Sequence, residues 1–497
     1  MTIRSTPEGL HSPRQVSTSF ALCVHVMATL LSEPNSSLSL KARNHRIRRG
    51  LILTDLGNGV MVPPDGYLVI AANTSRLLTN YPGLTSANVL GNFSGNLSND
   101  GEHLALTRPE SVVETKVNLT VVTNMYYVLV DEVTYRDGGR WGHAADGGGS
   151  SLELIDPHSD NRLPSNWADS DETGKAPWTI IQQSGIADHA HPSTVTSDQL
   201  QVFLQGAGDA LVDDVEVLLT GSTNRILNST FTSSITNWTP QGTHRSSGWA
   251  SGIGALYLKA TDRGDHVANR IRTPFTQPIP ANSSVTIRAR ARWLKGHPEL
   301  LLRLRGGSLE AAAKLQVPAN LGTPGSENSV FRVNVGPAVS AVAHRPVLPQ
   351  PGELIRVTAR VHDPDGLASV ILHYRFDPAP WSSASPTNIM NDAGVDGDFM
   401  AGDGIYTGII PAQAGRTVVG FYVEARDQAG INLASRFPAD GPVHECVVRV
   451  GDTPFAKAFG TYRFWMTQAS HDFWGAREKM SNEDVDCTFI YGNRIVY

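Results

Sequence analysis

The sequence predicts an all-β chain folded as tandem β-sandwiches, and three observations carry that expectation. Short runs rich in β-branched and aromatic residues recur along the chain, separated by clusters of Gly, Pro, Asn and Asp. Several of these runs alternate apolar and polar residues with a period of two. No amphipathic helical pattern separates them, as a parallel α/β sheet would require. The composition is also turn-rich and weakly charged, with 46 Gly and 30 Pro among 497 residues and 18% charged residues, against about 25% charged in an average domain. The length implies roughly three domains at about 150 residues each, and a 40% hydrophobic content can supply their cores.

The net charge of −6 argues against a nucleic-acid protein, which would carry a basic surplus or stripe. No apolar run reaches the roughly 18 residues of a membrane-spanning helix. Three cysteines, Cys23, Cys446 and Cys487, are too few for a disulfide scaffold and lack metal-ligand spacing.

Residues 1–50 read as a leader. The apolar stretch Phe20-Ala-Leu-Cys-Val-His-Val-Met-Ala-Thr-Leu-Leu31 follows Arg4 and Arg14 and precedes Ser32-Glu-Pro-Asn-Ser-Ser37, the layout of a secretory signal. A short buried helix or a poorly ordered leader is the competing reading, supported by His25 and the lack of an Ala-x-Ala site, and a non-native start is the further alternative. Arg43, Arg46, Arg48 and Arg49 then form a basic run read as a solvated linker.

The first sandwich is expected over 51–170. Tyr67-Leu-Val-Ile-Ala71 follows the turn Pro63-Pro-Asp-Gly66, and His103-Leu-Ala-Leu-Thr107 follows Asn99-Asp-Gly101. Pro fixes one backbone angle of such a turn and Gly tolerates the other. A β-branched run from Val117 to Val133 alternates imperfectly, and Ser151-Leu-Glu-Leu-Ile155 alternates cleanly. A second block, 178–325, reads as a jelly roll. Its strands are Gln201-Val-Phe-Leu-Gln205, Leu211 to Leu219, Ala255-Leu-Tyr-Leu-Lys259, Ser284 to Trp293 and Glu299 to Arg305. In the fourth, Val285, Ile287, Ala289 and Ala291 share one face, while Thr286, Arg288, Arg290 and Arg292 share the other. Those arginines suit either a solvated sheet face or a cationic binding face. A third block, 336–451, fits an immunoglobulin-like sandwich: Leu354 to Val361, a turn at Asp363-Pro-Asp-Gly366, Val370 to Arg375, Val418 to Ala425 and His444 to Val450. The stretch 322–334, with Pro324-Gly325, reads as the linker before it. Residues 455–497 are too few to bury a core of their own and read as the opening of a further domain.

Several segments carry a family resemblance. Pro63 to Asn73, Phe93 to Glu102, Asp131-Glu-Val-Thr-Tyr135, Gly147 to Leu154 and Pro164 to Ser170 resemble a bacterial lamin tail domain. Ala319 to Gly325 resembles the region that follows it in large secreted proteins. Tyr462-Arg-Phe-Trp-Met-Thr-Gln468 with Arg477-Glu-Lys-Met-Ser-Asn482 resembles the start of a spore coat protein H (CotH) kinase family domain. The resemblance departs from the pattern in two places. No opening strand of the lamin tail is recognisable before Gly50, and the kinase-like family's nucleotide and metal residues would fall beyond Tyr497. It therefore implies a chain with no catalytic residue of its own.

Three constellations remain. Asp392, Asp396, Asp398 and Asp403 lie on a glycine-rich loop and could supply hard oxygen ligands for Ca²⁺, or simply build turns; the loop lacks the EF-hand Glu at its twelfth position. Asp213 and Asp214 could add to a second cation site. In the jelly roll, Asn228-Ser-Thr-Phe231 and Asn237-Trp238 resemble the opening of galactose-binding-like folds. Trp238, Trp249 and Trp293, with Arg245, are therefore candidate sugar-binding residues, since aromatic faces stack on sugars while polar groups bond the hydroxyls. The competing reading makes Phe231 and Trp238 core residues. Leu211 to Val217 resembles the closing strand of such folds yet precedes the opening motif, which suggests a permuted jelly roll. No nucleophile elbow, zinc-protease helix or phosphate loop is present, and His189 and His191 form only an isolated pair. Asn-x-Ser/Thr sequons at Asn73, Asn92, Asn96, Asn118, Asn228 and Asn282 bear on a eukaryotic secretory route alone.

These readings imply an extracellular or envelope protein whose sandwiches adhere, space or bind glycans ahead of a CotH-like domain, with cell-surface glycans and envelope proteins as partners. The alternative makes the chain the accessory region of a secreted kinase-like phosphotransferase.

Overall fold

The computed structural model describes residues 66–497 except 94–96, 99, 117–119, 189–195, 220–222, 265–266, 429–432 and 454–459, and the backbone of three strands nearer the amino terminus. The rest of residues 1–65, including most of the expected leader, lies outside the described residues, as do the His189 and His191 pair and the Asn96 and Asn118 sequons. The chain divides into two compact units. One comprises Met1–Pro157, Trp167–Phe331 and Glu478–Glu483; the other comprises His158–Asn166, Arg332–Arg477 and Asp484–Tyr497. Apart from short helices, the described residues form strands and turns, as the alternating patterns predict.

The first unit holds two sandwiches. In the earlier one, a six-stranded sheet runs in the order Val89–Gly91, Tyr67–Ala71, Ala21–His25, Thr2–Ile3, Leu152–Leu154, Trp167–Asp169. A second sheet contains Ser39–Arg43, Glu102–Thr115 and Val121–Tyr135. Ile70, Leu152, Leu154 and Trp167 from one sheet share a core with Leu104, Leu106, Val133 and Tyr135 from the other. Two strands thus come from a region where the sequence shows no recognisable opening strand: Ala21–His25 pairs with Tyr67–Ala71, and Ser39–Arg43 pairs with the start of Glu102–Thr115. The turn before Glu102 needs its glycine. Gly101 has φ +102°, and a Cβ there would lie 2.4 Å from the Tyr135 carbonyl oxygen.

The jelly roll follows. One five-stranded sheet runs Thr179–Ala187, Ser283–Gly296, Gly208–Leu219, Ala255–Ala260, Gly248–Ala250; the other runs Thr239–Gln241, Arg270–Ile279, Ser197–Leu204, Glu299–Leu304, Glu310–Lys314. All neighbours are antiparallel. The period-two pattern sets the layering: Val285, Ile287, Ala289 and Ala291 join Leu200, Val202, Leu204, Leu300 and Leu302 in one core between the sheets. Gly208–Leu219, the strand whose sequence position looked permuted, lies inside the first sheet, paired with Ser283–Gly296 and Ala255–Ala260.

The stretch expected to be a linker is docked onto the first unit as far as Ser329. Glu153, fully buried in strand Leu152–Leu154, accepts hydrogen bonds from Thr323 Oγ1 (2.6 Å), Ser329 N (2.7 Å) and Ser329 Oγ (2.7 Å). The amide of Gly322 donates to Glu172 Oε1 at 2.8 Å. A buried carboxylate must be satisfied in this way, and the Ser/Thr residues of the stretch supply the donors.

In the second unit, the sheet of Ala338–Arg345, Ile355–His362 and Ile405–Ile410 shares a core with a sheet built on Leu367–Phe376 and Val418–Asp427. Val357, Ala359, Leu372, Phe421, Val423 and Cys446 lie within that core. A three-stranded sheet of Tyr462–Trp465, Thr488–Tyr491 and Arg494–Val496 contributes Trp465 and Ile490 to the same cluster. The described residues of 460–477 and 484–497 therefore add to an existing core, which is how so short a segment acquires buried side chains.

Candidate functional site

The jelly roll holds one edge where backbone strain, aromatic exposure and hydrogen bonding coincide. Three non-glycine residues of the segment 228–238 have left-handed backbone: Asn228 (φ 50°), Phe231 (φ 45°) and Asn237 (φ 74°). Asn adopts this region readily, whereas a bulky Phe does so only when its surroundings hold it there. Here they do. The Phe231 ring is fully buried and lies 5.1 Å from the Trp238 ring. Asn228 Nδ2 donates to the carbonyls of Ser234 (2.8 Å) and Thr236 (3.0 Å), closing the loop on itself. The Trp238 indole N–H donates to the Asn228 carbonyl at 3.1 Å.

Trp249, in the edge strand Gly248–Ala250, donates its indole N–H to the Phe231 carbonyl at 2.8 Å and keeps 39% of its surface open. Leu227 and Ile253 are also exposed large apolar residues. Arg245 follows the short helical turn Gly242–His244, and its Nε lies 3.7 Å from Glu483 Oε1. The four sugar-binding candidates therefore separate. Trp249 and Arg245 are solvent-facing. Trp238 and Trp293 are core side chains with 5% and 1% exposure, and the Trp293 indole donates to the Gly296 carbonyl. That burial corrects the expectation for those two, because neither ring has a face left for a sugar.

In the arginine row, Arg288 and Arg290 are ion-paired, and Arg290 and Arg292 lie over an indole ring. Arg290 Nη2 lies 2.5 Å from Asp213 Oδ2 and its Nε 2.8 Å from Asp214; Arg288 lies 3.5 Å from Glu216. The guanidinium carbons of Arg290 and Arg292 sit 4.7 and 4.8 Å from the Trp178 ring centroid, a cation–π arrangement. Asp213 and Asp214, the expected extra cation ligands, are thus taken up by Arg290. The hydrogen bond to Asp213 is the largest factor holding the Arg290 guanidinium above its ordinary range. Trp178 escaped sequence reasoning because nothing local links it to strand Ser283–Gly296.

The acidic loop is organised by its own backbone. Asp392 accepts from the amides of Gly402 (2.8 Å), Asp403 (3.2 Å) and Gly404 (3.0 Å). Asp398 accepts from Gly394 N at 2.7 Å, and Asp403 from Ile405 N at 2.9 Å. Asp396 takes left-handed backbone at φ 52°. Among the described residues no three His, Cys, Asp or Glu side chains gather as a metal site requires. Asp392, Asp398 and Asp403 thus hold the loop's turns through backbone amides, whereas Ca²⁺ takes six to eight converging oxygens.

His244 is a residue the sequence did not single out. It is fully buried beside the strained loop's sheet, and burial lowers its pKa to about 4. Its Nε2 accepts the Leu204 amide at 2.9 Å, and the remaining N–H at Nδ1 donates to Thr243 Oγ1 at 3.0 Å.

No protein-family model matches the chain, and no curated protein does. Among solved structures it is similar to the N-terminal eight Ig domains of Down Syndrome Cell Adhesion Molecule (DSCAM), isoform 1.30.30, at 10% identity and a TM-score of 0.15. The match covers 88% of this chain and 66% of that one. At that TM-score the all-β assignment rests on the strands themselves. No helix among the described residues is long and apolar enough to cross a membrane.

Proposed function

We propose that this modular β-protein is a non-catalytic extracellular recognition protein whose jelly roll binds carbohydrate at the edge strand bearing Trp249, with the solvent-facing Arg245 just upstream in the chain as a second contact and the other sandwiches acting as spacers. One observation carries the reading: the Trp249 ring is open to solvent while its N–H is anchored to a strained, self-bonded loop. A fixed aromatic face of this kind loses little rotamer freedom when a sugar stacks on it, and a guanidinium such as that of Arg245 supplies donors for hydroxyl or carboxylate oxygens. The test is a glycan array probed with the full chain, followed by affinity measurements on Trp249→Phe and Trp249→Ala. Aromatic stacking is worth about 0.5–1.5 kcal/mol, so the Ala variant should bind roughly two- to tenfold more weakly while Phe retains most of the affinity. Absence of binding across the array, or equal binding by the Ala variant, overturns the proposal.

A further inference from the structure

The hairpin Glu102–Thr115 and Val121–Tyr135 extends well past the sandwich that roots it. Leu104, Leu106, Val133 and Tyr135 pack in the core. The register shifts at Leu106/Thr107, and beyond that bulge the two strands run on as a two-stranded ribbon to Thr115 opposite Val121. Val121, Met125, Tyr126, Tyr127, Val128 and Leu129 there are each 40–60% exposed. A bare two-stranded ribbon is marginally stable in water, and one with this much exposed apolar surface gains from adding a strand.

The ribbon's two edges differ. Along 108–115 the first strand carries Arg108, Pro109, Glu110 and Glu114, the charges and missing N–H that discourage edge pairing. The second strand over 121–130 reads Val-Val-Thr-Asn-Met-Tyr-Tyr-Val-Leu-Val, with no charge, no Pro and no Gly. Among the described residues this strand pairs on one side only, with Glu102–Thr115. We propose that the open edge of 121–130 is a dimerisation edge, filled by the same strand of a second copy of this chain running antiparallel.

The sequence is self-complementary in that arrangement. Antiparallel pairing about a two-fold axis near Met125 sets Val121 opposite Leu129 and Thr123 opposite Tyr127 on one face. On the other it sets Val122 opposite Val128 and Asn124 opposite Tyr126. Each pair joins apolar, aromatic or uncharged polar groups and no like charges meet. The two-fold is isologous and closes at two copies, because the outer edges of the resulting four-stranded ribbon are the Arg108–Glu114 edges that resist further addition. A different protein partner would need an equally uncharged strand of its own; this chain supplies one to itself.

The test is sedimentation velocity of the full chain over a concentration series, with the double variant Thr123→Lys/Met125→Lys and the control Ser111→Lys on the protected strand. The parent and the control should show a species of twice the chain mass, which the double variant loses. A parent monomeric at all concentrations, or a dimer that survives the double variant, overturns the proposal. Hydrogen exchange on the unmodified chain guards against misfolding of the variant: amides in 121–130 should slow as concentration rises, and concentration-independent exchange there counts equally against the dimer.

Discussion

Acidification should destabilise the jelly roll through His244, and the size of the effect follows from its surroundings. The imidazole is fully buried and its pKa is lowered to about 4 by burial. Its Nε2 accepts the Leu204 amide, so a proton added there would set one N–H against another. The unfolded chain protonates near 6.5, the native state near 4. Between these values the unfolded state binds the extra proton, so stability is present above pH 6.5 and falls as pH drops towards 4. At 1.36 kcal/mol per tenfold change in proton affinity, the full loss is about 3 kcal/mol. The assay is hydrogen exchange in urea on peptides covering Ser197–Leu204 and Gly208–Leu219, between pH 7 and pH 4, for the parent and His244→Gln. The parent should lose about 3 kcal/mol of opening free energy beyond whatever the variant loses. An identical pH dependence in both, or a histidine signal for residue 244 titrating near 6.5, refutes the reasoning.

Other outcomes follow from the same contacts. His344 is also fully buried with its pKa lowered to about 4, chiefly by burial, so peptides of Ile355–His362 should lose protection over the same pH window and keep it in His344→Gln. Arg375 lies 3.1 Å from Asp377 and also pairs with Glu445, all three nearly buried; Arg375→Ala should cost about 3–5 kcal/mol by urea unfolding because two carboxylates lose their partner. Glu153→Ala should cost at least about 2 kcal/mol and make the bond after Gly325 newly sensitive to limited proteolysis. Chelator should leave the melting temperature unchanged, whereas Asp392→Ala should lower it, since three backbone amides lose their acceptor.

Strand patterning was legible because period two is a local property. The run Ser284 to Trp293 is observed as Ser283–Gly296 with the expected faces, and Leu211 to Leu219 as Gly208–Leu219. The run Val117 to Val133 alternates imperfectly for two physical reasons: a bulge lies beside it and, along the ribbon, neither face is buried against a core. The helices Thr74–Asn80 and Gln468–Ala476 were missed, although Asn73 and Thr467 cap them through side-chain bonds to Arg76 N and Ser470 N. The candidate site was only half readable. Sequence marks Trp238, Trp249 and Trp293 alike, and only the fold separates one open ring from two buried ones. His244 gave no signal, since its partner amide is Leu204, forty residues away.

Separate sandwich cores make up the described residues of this chain. Differential scanning calorimetry of the full chain tests it most directly. Independent cores predict a calorimetric enthalpy well above the van't Hoff value and a trace that resolves into at least two transitions. A single transition with the two enthalpies equal would contradict it.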